Sequence, residues 1–284
     1  MKSLKQIKGE INNITEIRGL IEVYEEMSAS KMQKIRSSII ASHEYFEGLA
    51  RISGEVALDL FTNSDSKTKG EAAILISAET GLYGDLIDKL LVGFVDFVKK
   101  NKADAFIAGR MGVNLIKTYD PSFKFKQLNF PVDSENMSSE SAAAALNDLS
   151  EYKKISVFHG TFQSLAVQSV EASDVSGKGL DVLGKDIDKS EAKKTRLTNL
   201  YEPSVEAVGE KFSKEIAVSV LSQSFAENQL AKYAARLIHL DGALESINER
   251  MESYQDDERR MRKKNEQKKQ TERVSRMISL QKFI

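Results

Sequence analysis

Proline stands at only three of the 284 positions, Pro121, Pro131 and Pro203, so residues 1–120 and 204–284 lack the one residue that breaks a helix interior. Both flanks are therefore free to be continuous helices. From Leu4 to Ile39 apolar residues recur at Leu4, Ile7, Ile11, Ile14, Ile21, Met32, Ile35 and Ile39, and spacings of three and four place them on one helical stripe. The heptad that fits them has Arg18, Glu25 and Ser28 in the middle of its seam, whereas Ile17, Leu20, Tyr24 and Met27 form an apolar stripe about one residue out of phase. The expectation is a seam that drifts there, as in a supercoil that changes partner or pitch.

An answering stripe lies at Leu230, Tyr233, Leu237, Leu240, Leu244, Ile247, Met251, Tyr254 and Met261, interrupted at Glu258. A long antiparallel pair is the simplest use of both. Helix is expected from Ser3 to about Asp59 and again after Pro203, the second run being roughly 80 residues or ~120 Å at 1.5 Å per residue. A compact chain of this length has a radius of gyration of only about 19 Å, so the expected molecule is a rod with a lump on its side.

Between the flanks the chain changes character. After the turn-rich stretch up to Gly70, Ala72–Ser77 is an apolar, β-branched run suited to a buried strand. Leu86–Lys100 predicts a helix, Asp104–Ala108 a strand and Val113–Tyr119 a short helix, which is α/β alternation. Phe123–Phe130 predicts an edge strand and Ser139–Leu149 an alanine-rich helix. Ile155–Phe158 and Phe162–Val170 predict two strands joined by a hairpin at His159-Gly160-Thr161. Asp174–Asn199 is glycine-rich and charged and is expected to be a mobile loop.

The organisation is thus an N-terminal coiled-coil helix over 1–60, an α/β domain over 70–173, a loop or linker over 174–203 and a C-terminal coiled-coil helix over 204–284. The fold class is α/β with a long antiparallel coiled coil, in which the terminal helices form a shaft and the centre is a Rossmann-like domain.

Composition narrows the function. A net charge of -1 gives no global attraction for nucleic acid or acidic lipid. With no cysteine, disulfides and thiolate metal sites are excluded, and His43, His159 and His239 stand in no ligand spacing. The start MKSLKQIKGE has no apolar signal core, and no run reaches the ~18 apolar residues of a membrane span. Gly81-Leu82-Tyr83-Gly84 after a strand invites a phosphate-loop reading, but no GxGxxG or GxxxxGK[ST] is present and Asp85 would repel an anion, so a tight turn is expected. The basic run Arg259–Lys269 is diluted by Glu258, Glu266 and Glu272 and interleaved with no aromatic, so a solvated or partner-facing helix is expected there. No Ser/His/Asp order, carboxylate pair or metal spacing marks a catalytic centre.

The stretch Tyr24–Lys34, above all Ser28-Ala29-Ser30-Lys31-Met32, resembles the first helix of the γ subunit of F-type ATP synthases, with its "ME-M-V-S-A-S-K-M-x-K". The resemblance continues through Ile74–Gly84, in place of that family's strand and "S-x-D-R-G-L-C-G" turn. It returns at Leu200-Tyr201-Glu202-Pro203 and at Glu227-Asn228 through Ala234-Ala235-Arg236-Leu237, in place of "E-x-A-A-R-M". Four stretches occur in the family's order across nearly the whole chain. Glu79 and Thr80 replace an acidic-basic pair, Tyr83 a cysteine and Asp85 a glycine, and Glu22 stands where a basic residue is common. The family's tip is apolar-rich, whereas Arg259–Arg273 reads RRMRKKNEQKKQTER, and only Val274, Met277, Ile278, Leu280, Phe283 and Ile284 restore an apolar character.

The resemblance implies a divergent central rotor stalk subunit of an F-type ATP synthase or F1-like ATPase, not catalytic itself and needing no cofactor. Glu22, Tyr24, Ser30, Lys31 and Met32 would face the catalytic ring of alpha and beta subunits. Leu230, Leu237, Leu240, Leu244 and Ile247 would pack the shaft. Tyr201, Glu202 and Pro203 would lie at the rotor foot against the membrane c-ring, or simply cap the last helix. Arg236 is either a surface charge or a structural part of the shaft. An epsilon-type stalk subunit is a further expected partner, nucleic acid and membrane insertion are not, and the place is the cytoplasmic face of a membrane or an organelle matrix. A coiled-coil scaffold that dimerises through 230–261, outside any ATPase, is the alternative, and an α/β nucleotide-binding enzyme is a third reading that lacks a motif.

Overall fold

The apolar run Ala72–Ile76 lies in the middle strand of a five-stranded sheet and is buried on both faces, as strands covered by helices on either side must be. The computed structural model describes residues 3–55, 69–134, 137–175, 202 and 204–281. In chain order the elements are α1 (Leu4–Glu55), β1 (Lys69–Ile76), α2 (Leu86–Asn101), β2 (Asp104–Ala108), α3 (Arg110–Tyr119), β3 (Lys126–Leu128), α4 (Ser139–Asn147), β4 (Tyr152–Phe162), β5 (Gln168–Asp174) and α5 (Val205–Gln281). The sheet order is β3-β2-β1-β4-β5, parallel throughout except for the antiparallel edge strand β5.

Alternate residues of β1 feed two apolar layers. Ala73 and Leu75 join α2 and α3 around Leu90, Phe94 and Ile116, while Ala72, Ile74 and Ile76 join Leu128, Ala142, Leu149 and Val157 on the other face. Helix α5 contributes to both, through Ala231 and Ala235 in the first layer and Leu221 and Phe225 in the second. A third cluster joins Ile35 of α1 to Ala226, Leu230 and Tyr233 of α5. Lys31 lies over Tyr233, and Tyr45 donates to Glu215 at 3.0 Å, so position numbers rise along α1 as they fall along α5 and the two helices are antiparallel.

The chain divides into two compact units, Met1–Met27 with His239–Ile284, and Ser28–Ile238. In the first, Ile7 is buried and Ile11, Ile14, Arg18, Ile21 and Glu25 are half-buried, while Leu240 is buried and Leu244, Ile247, Met251, Tyr254, Glu258 and Met261 are half-buried. In the second, Ser28 and Ile35 continue the α1 heptad as buried residues.

Three expectations need correction. The α1 seam does not drift: it runs straight through Arg18, Glu25 and Ser28, and Ile17, Leu20, Tyr24 and Met27 are 49%, 62%, 48% and 50% exposed. Long charged side chains can lie along a seam by their stems and still reach water with their heads. Arg18 does so and bonds Glu22 at 2.9 Å.

The second correction concerns the hairpin, which turns at Gln163–Val167 and not at His159-Gly160-Thr161, where β4 continues. Gly160 is a strand residue because α5 passes close to it: a Cβ there would meet Ala231 Cβ at 3.0 Å. The expected edge strand at Phe123–Phe130 shrinks to Lys126–Leu128. The loop expected over 174–203 lies almost wholly outside the described residues.

Candidate functional site at the junction of sheet and long helix

Residues 224–235 of α5 are nearly all buried, including the polar Ser224, Asn228, Gln229 and Lys232. A polar group out of water is costly unless paired, and the last three find partners across the end of the sheet, although the side-chain oxygen of Gln229 is buried without one. Asn228 donates to the carbonyl of Ile76, the last residue of β1, at 3.2 Å and accepts from the Gly160 N–H at 2.8 Å. Gln229 donates to the carbonyls of Val132 and Ser134 at 2.6 and 2.7 Å.

Lys232 sits over the Tyr83 ring and donates to the Val132 carbonyl at 2.8 Å and to Asp133 at 3.0 Å. Burial lowers its pKa to about 8, against the opposing pull of Asp133. Burial in turn raises the Asp133 carboxyl, but the Lys232 charge and hydrogen bonds outweigh it and the net shift is downward. An ion pair is therefore present at neutral pH. Asp133 also accepts from the Glu79 N–H and the Thr80 hydroxyl, both at 3.3 Å.

One helical turn on, Arg236 donates to Thr80 Oγ1 at 3.0 Å and to the Gly81 carbonyl at 3.1 Å, with its guanidinium 4.4 Å from the centre of the Tyr83 ring. The turn it holds bends tightly, with Leu82 at φ 71° and Gly84 at φ 56°. The left-handed region strains a leucine, so external bonds to the turn have a clear use. Asp85 follows and pairs with Lys89 at 2.8 Å, as a turn and not an anion cradle would have it.

Nothing in this junction pairs a nucleophile with a base. It holds three pieces together: the turn after β1, the Val132–Ser134 loop and the long helix. Among the described residues no group of His, Asp and Glu could hold a metal ion, and no helix is long and apolar enough to cross a membrane.

The residues singled out from sequence are distributed as follows. Glu22, Tyr24 and Ser30 are exposed on α1; Lys31 and Met32 are half-buried, Lys31 over Tyr233 and Met32 against the cluster of Ile35 and Leu230. Leu230 and Leu240 are buried, and Leu237, Leu244 and Ile247 half-buried. Glu202 is exposed, while Tyr201 and Pro203 lie outside the described residues. Lys232, Gln229 and Asp133 were not singled out. Their trace in the sequence is a mismatch: Asn228, Gln229 and Lys232 interrupt an apolar stretch rich in alanine, where a single coiled-coil seam has no use for small residues on several faces.

Three stretches far apart in the sequence thus converge, with Lys31 on Tyr233 and Arg236 on the Gly81–Gly84 turn. A family model described as ATP synthase matches residues 3–268. The chain belongs to that family, on its gamma chain branch. The ATP synthase gamma chain of Ruminococcus albus is 23% identical over 267 residues, covering 89% of this chain and 90% of that one. The gamma chain of Trichlorobacter lovleyi is 21% identical, covering 88% of each. Identities this low mark a divergent member.

The central stalk/c-ring structure of the Tetrahymena thermophila mitochondrial ATP synthase superposes with a TM-score of 0.54 at 16% identity, over 79% of this chain and 99% of that chain. The Euglena gracilis mitochondrial ATP synthase (OSCP/F1/c-ring, rotational state 3) gives 0.52 at 15% identity, over 92% and 95%. These likenesses concern the fold: long terminal helices about a central sheet.

Proposed function

We infer that the chain works as the central rotor stalk subunit of an F-type ATP synthase or F1-like ATPase and carries rotation to or from a catalytic ring without catalysing anything itself. The observation that carries this is the family match over residues 3–268, which takes in both long helices and the sheet between them. The antiparallel pairing of α1 with α5, and the polar clasp that ties α5 to the sheet, suit a part that must transmit torque. Such a shaft acts by presenting a different side to each ring subunit as it turns, biasing their open and closed states in sequence.

In this reading alpha and beta subunits surround the shaft and meet Glu22, Tyr24, Ser30, Lys31 and Met32. Tyr201, Glu202 and Pro203 belong to the foot, near the membrane c-ring, and an epsilon-type subunit binds the α/β domain. The subunit is then a peripheral member of a membrane-associated complex. Native mass spectrometry of the complex taken from its own cells tests this: one copy per ring of ATPase subunits is expected, and a homodimer free of ATPase subunits would overturn it in favour of a scaffold.

A further inference from the structure

Between Arg259 and Arg276, α5 carries nine Arg and Lys against two Glu, a net charge of about +7 in a chain whose total is -1. Every residue of this stretch is exposed except Met261, which is half-buried. Four cations have interactions within the chain: Arg259 with Asp256 at 3.5 Å, Arg262 with Glu258 at 2.7 Å, and Lys264 and Arg276 as well. Arg260, Lys263, Lys268, Lys269 and Arg273 form no ion pair among the described residues.

Their arrangement decides what they fit. At 100° per residue a one-sided basic face would recur every three or four positions. Here Arg260, Lys263, Lys268, Lys269 and Arg273 fall on successive sides and encircle the helix, and the only apolar residues before Arg276 are Met261 and Val274. A flat partner would leave half of these charges unanswered, and an apolar sleeve would strip water from them without pairing them, which is strongly unfavourable. A bore lined by carboxylates on all sides answers them together.

We propose that the Arg259–Arg276 segment is held inside an acid-lined protein bore, formed by the ATPase subunits that surround the shaft. This rests on the rotor reading above and supplies what that reading leaves open, namely the chemistry of the surface that receives this segment. Docking is electrostatic and encircling, so the segment can turn without losing a particular partner, since each cation passes from one carboxylate to the next.

The test uses the full chain with Gln267→p-benzoylphenylalanine in the complex isolated from its own cells, photolysed and mapped by mass spectrometry. Expected are cross-links to ATPase-subunit peptides in which Asp and Glu outnumber Lys and Arg. Their yield should fall at least about three-fold between 0.15 M and 1 M salt, as the screening length shrinks from ~8 to ~3 Å. The same fall should appear at 0.15 M when Arg260→Gln, Lys263→Gln, Lys268→Gln and Lys269→Gln are combined. Glutamine preserves helix propensity, so the variant keeps its helix. Cross-links to apolar peptides, to nucleic acid, or with salt-independent yield in a complex that retains the chain would overturn the proposal and leave the rotor reading standing. A chain recovered without ATPase subunits would overturn both.

Discussion

The side-chain oxygen of Asn228 lies 2.8 Å from the backbone nitrogen of Gly160, two residues beyond Phe158, where the pairing of β4 with β1 ends. Its amide nitrogen meanwhile bonds the carbonyl of Ile76, where β1 stops. One side chain on the long helix thus continues the ladder between two parallel strands. Gly160 allows the approach, since any larger residue would press on Ala231. Sheet and helix are joined by bonds of the kind that hold the sheet together.

Asn228→Ala should therefore leave a buried N–H and a buried carbonyl unpaired and cost about 2–4 kcal/mol. Asn228→Asp keeps the acceptor for Gly160 but turns an oxygen on the Ile76 carbonyl, so it should also destabilise. Urea unfolding of the full chain measures both, and an unchanged midpoint for Asn228→Ala would contradict the ladder role.

Lys232 and Asp133 give an asymmetric pair of effects. Asp133→Ala strands a buried ammonium and should cost about 3–5 kcal/mol, whereas Lys232→Met leaves only a half-buried carboxylate that can turn to water and should cost less. Because burial holds the Lys232 pKa near 8, below the 10.5 of a free lysine, the unfolded chain binds more protons between these values. This contribution to stability therefore rises with pH from about 8 to 10.5 and is flat below. Lys232→Met should abolish that rise in the pH dependence of the unfolding midpoint.

His159 is fully enclosed, with Nε2 2.8 Å from the Ser173 hydroxyl, and burial depresses its pKa to about 4. The unfolded imidazole takes up its proton near 6.5, so stability should be complete above pH 6.5 and decline as pH falls from there toward 4. His159→Gln, which retains a polar group for Ser173, should flatten that acid limb in thermal melts between pH 4 and 7.

The straight seam of α1 separates two classes of alanine variant. Ile35→Ala, in the buried position, should cost roughly 2–5 kcal/mol. Leu20→Ala and Tyr24→Ala, on the exposed row, should stay within about 0.5 kcal/mol in the isolated chain. Equal losses in both classes would restore the drifting seam.

Leu240 is buried within α5, and proline there removes a helical hydrogen bond and clashes with the preceding turn, at about 3 kcal/mol or more. In the assembled complex Leu240→Pro should uncouple ATP hydrolysis from rotation. Coupled activity equal to wild type would show that torque does not pass through this position.

The long helices and the parallel strands were legible because each has a single period. The proline-free flanks allowed helix, and β1 had the unbroken apolar run of a strand buried on both faces. What failed was local inference that ignored a distant partner. Gly160 suggested a turn because glycine usually marks one, but it answers to a helix 68 residues away. Ile17, Leu20, Tyr24 and Met27 suggested the seam because they are apolar, yet the seam follows heptad geometry through Arg18 and Ser28. The junction itself was half legible. Arg236 stood out through the family resemblance, while Lys232 and Asp133 become a pair only when the Val132–Ser134 loop folds onto α5.

The central claim is that this chain turns inside a ring, and a single-molecule rotation assay addresses it most directly. The chain has no cysteine, so Lys100→Cys on the exposed side of α2 gives one attachment point for a bead, with the ATPase subunits fixed to glass. Stepwise rotation of the bead in one direction, dependent on ATP, is the predicted result. A complex that hydrolyses ATP under a stationary bead would contradict the account.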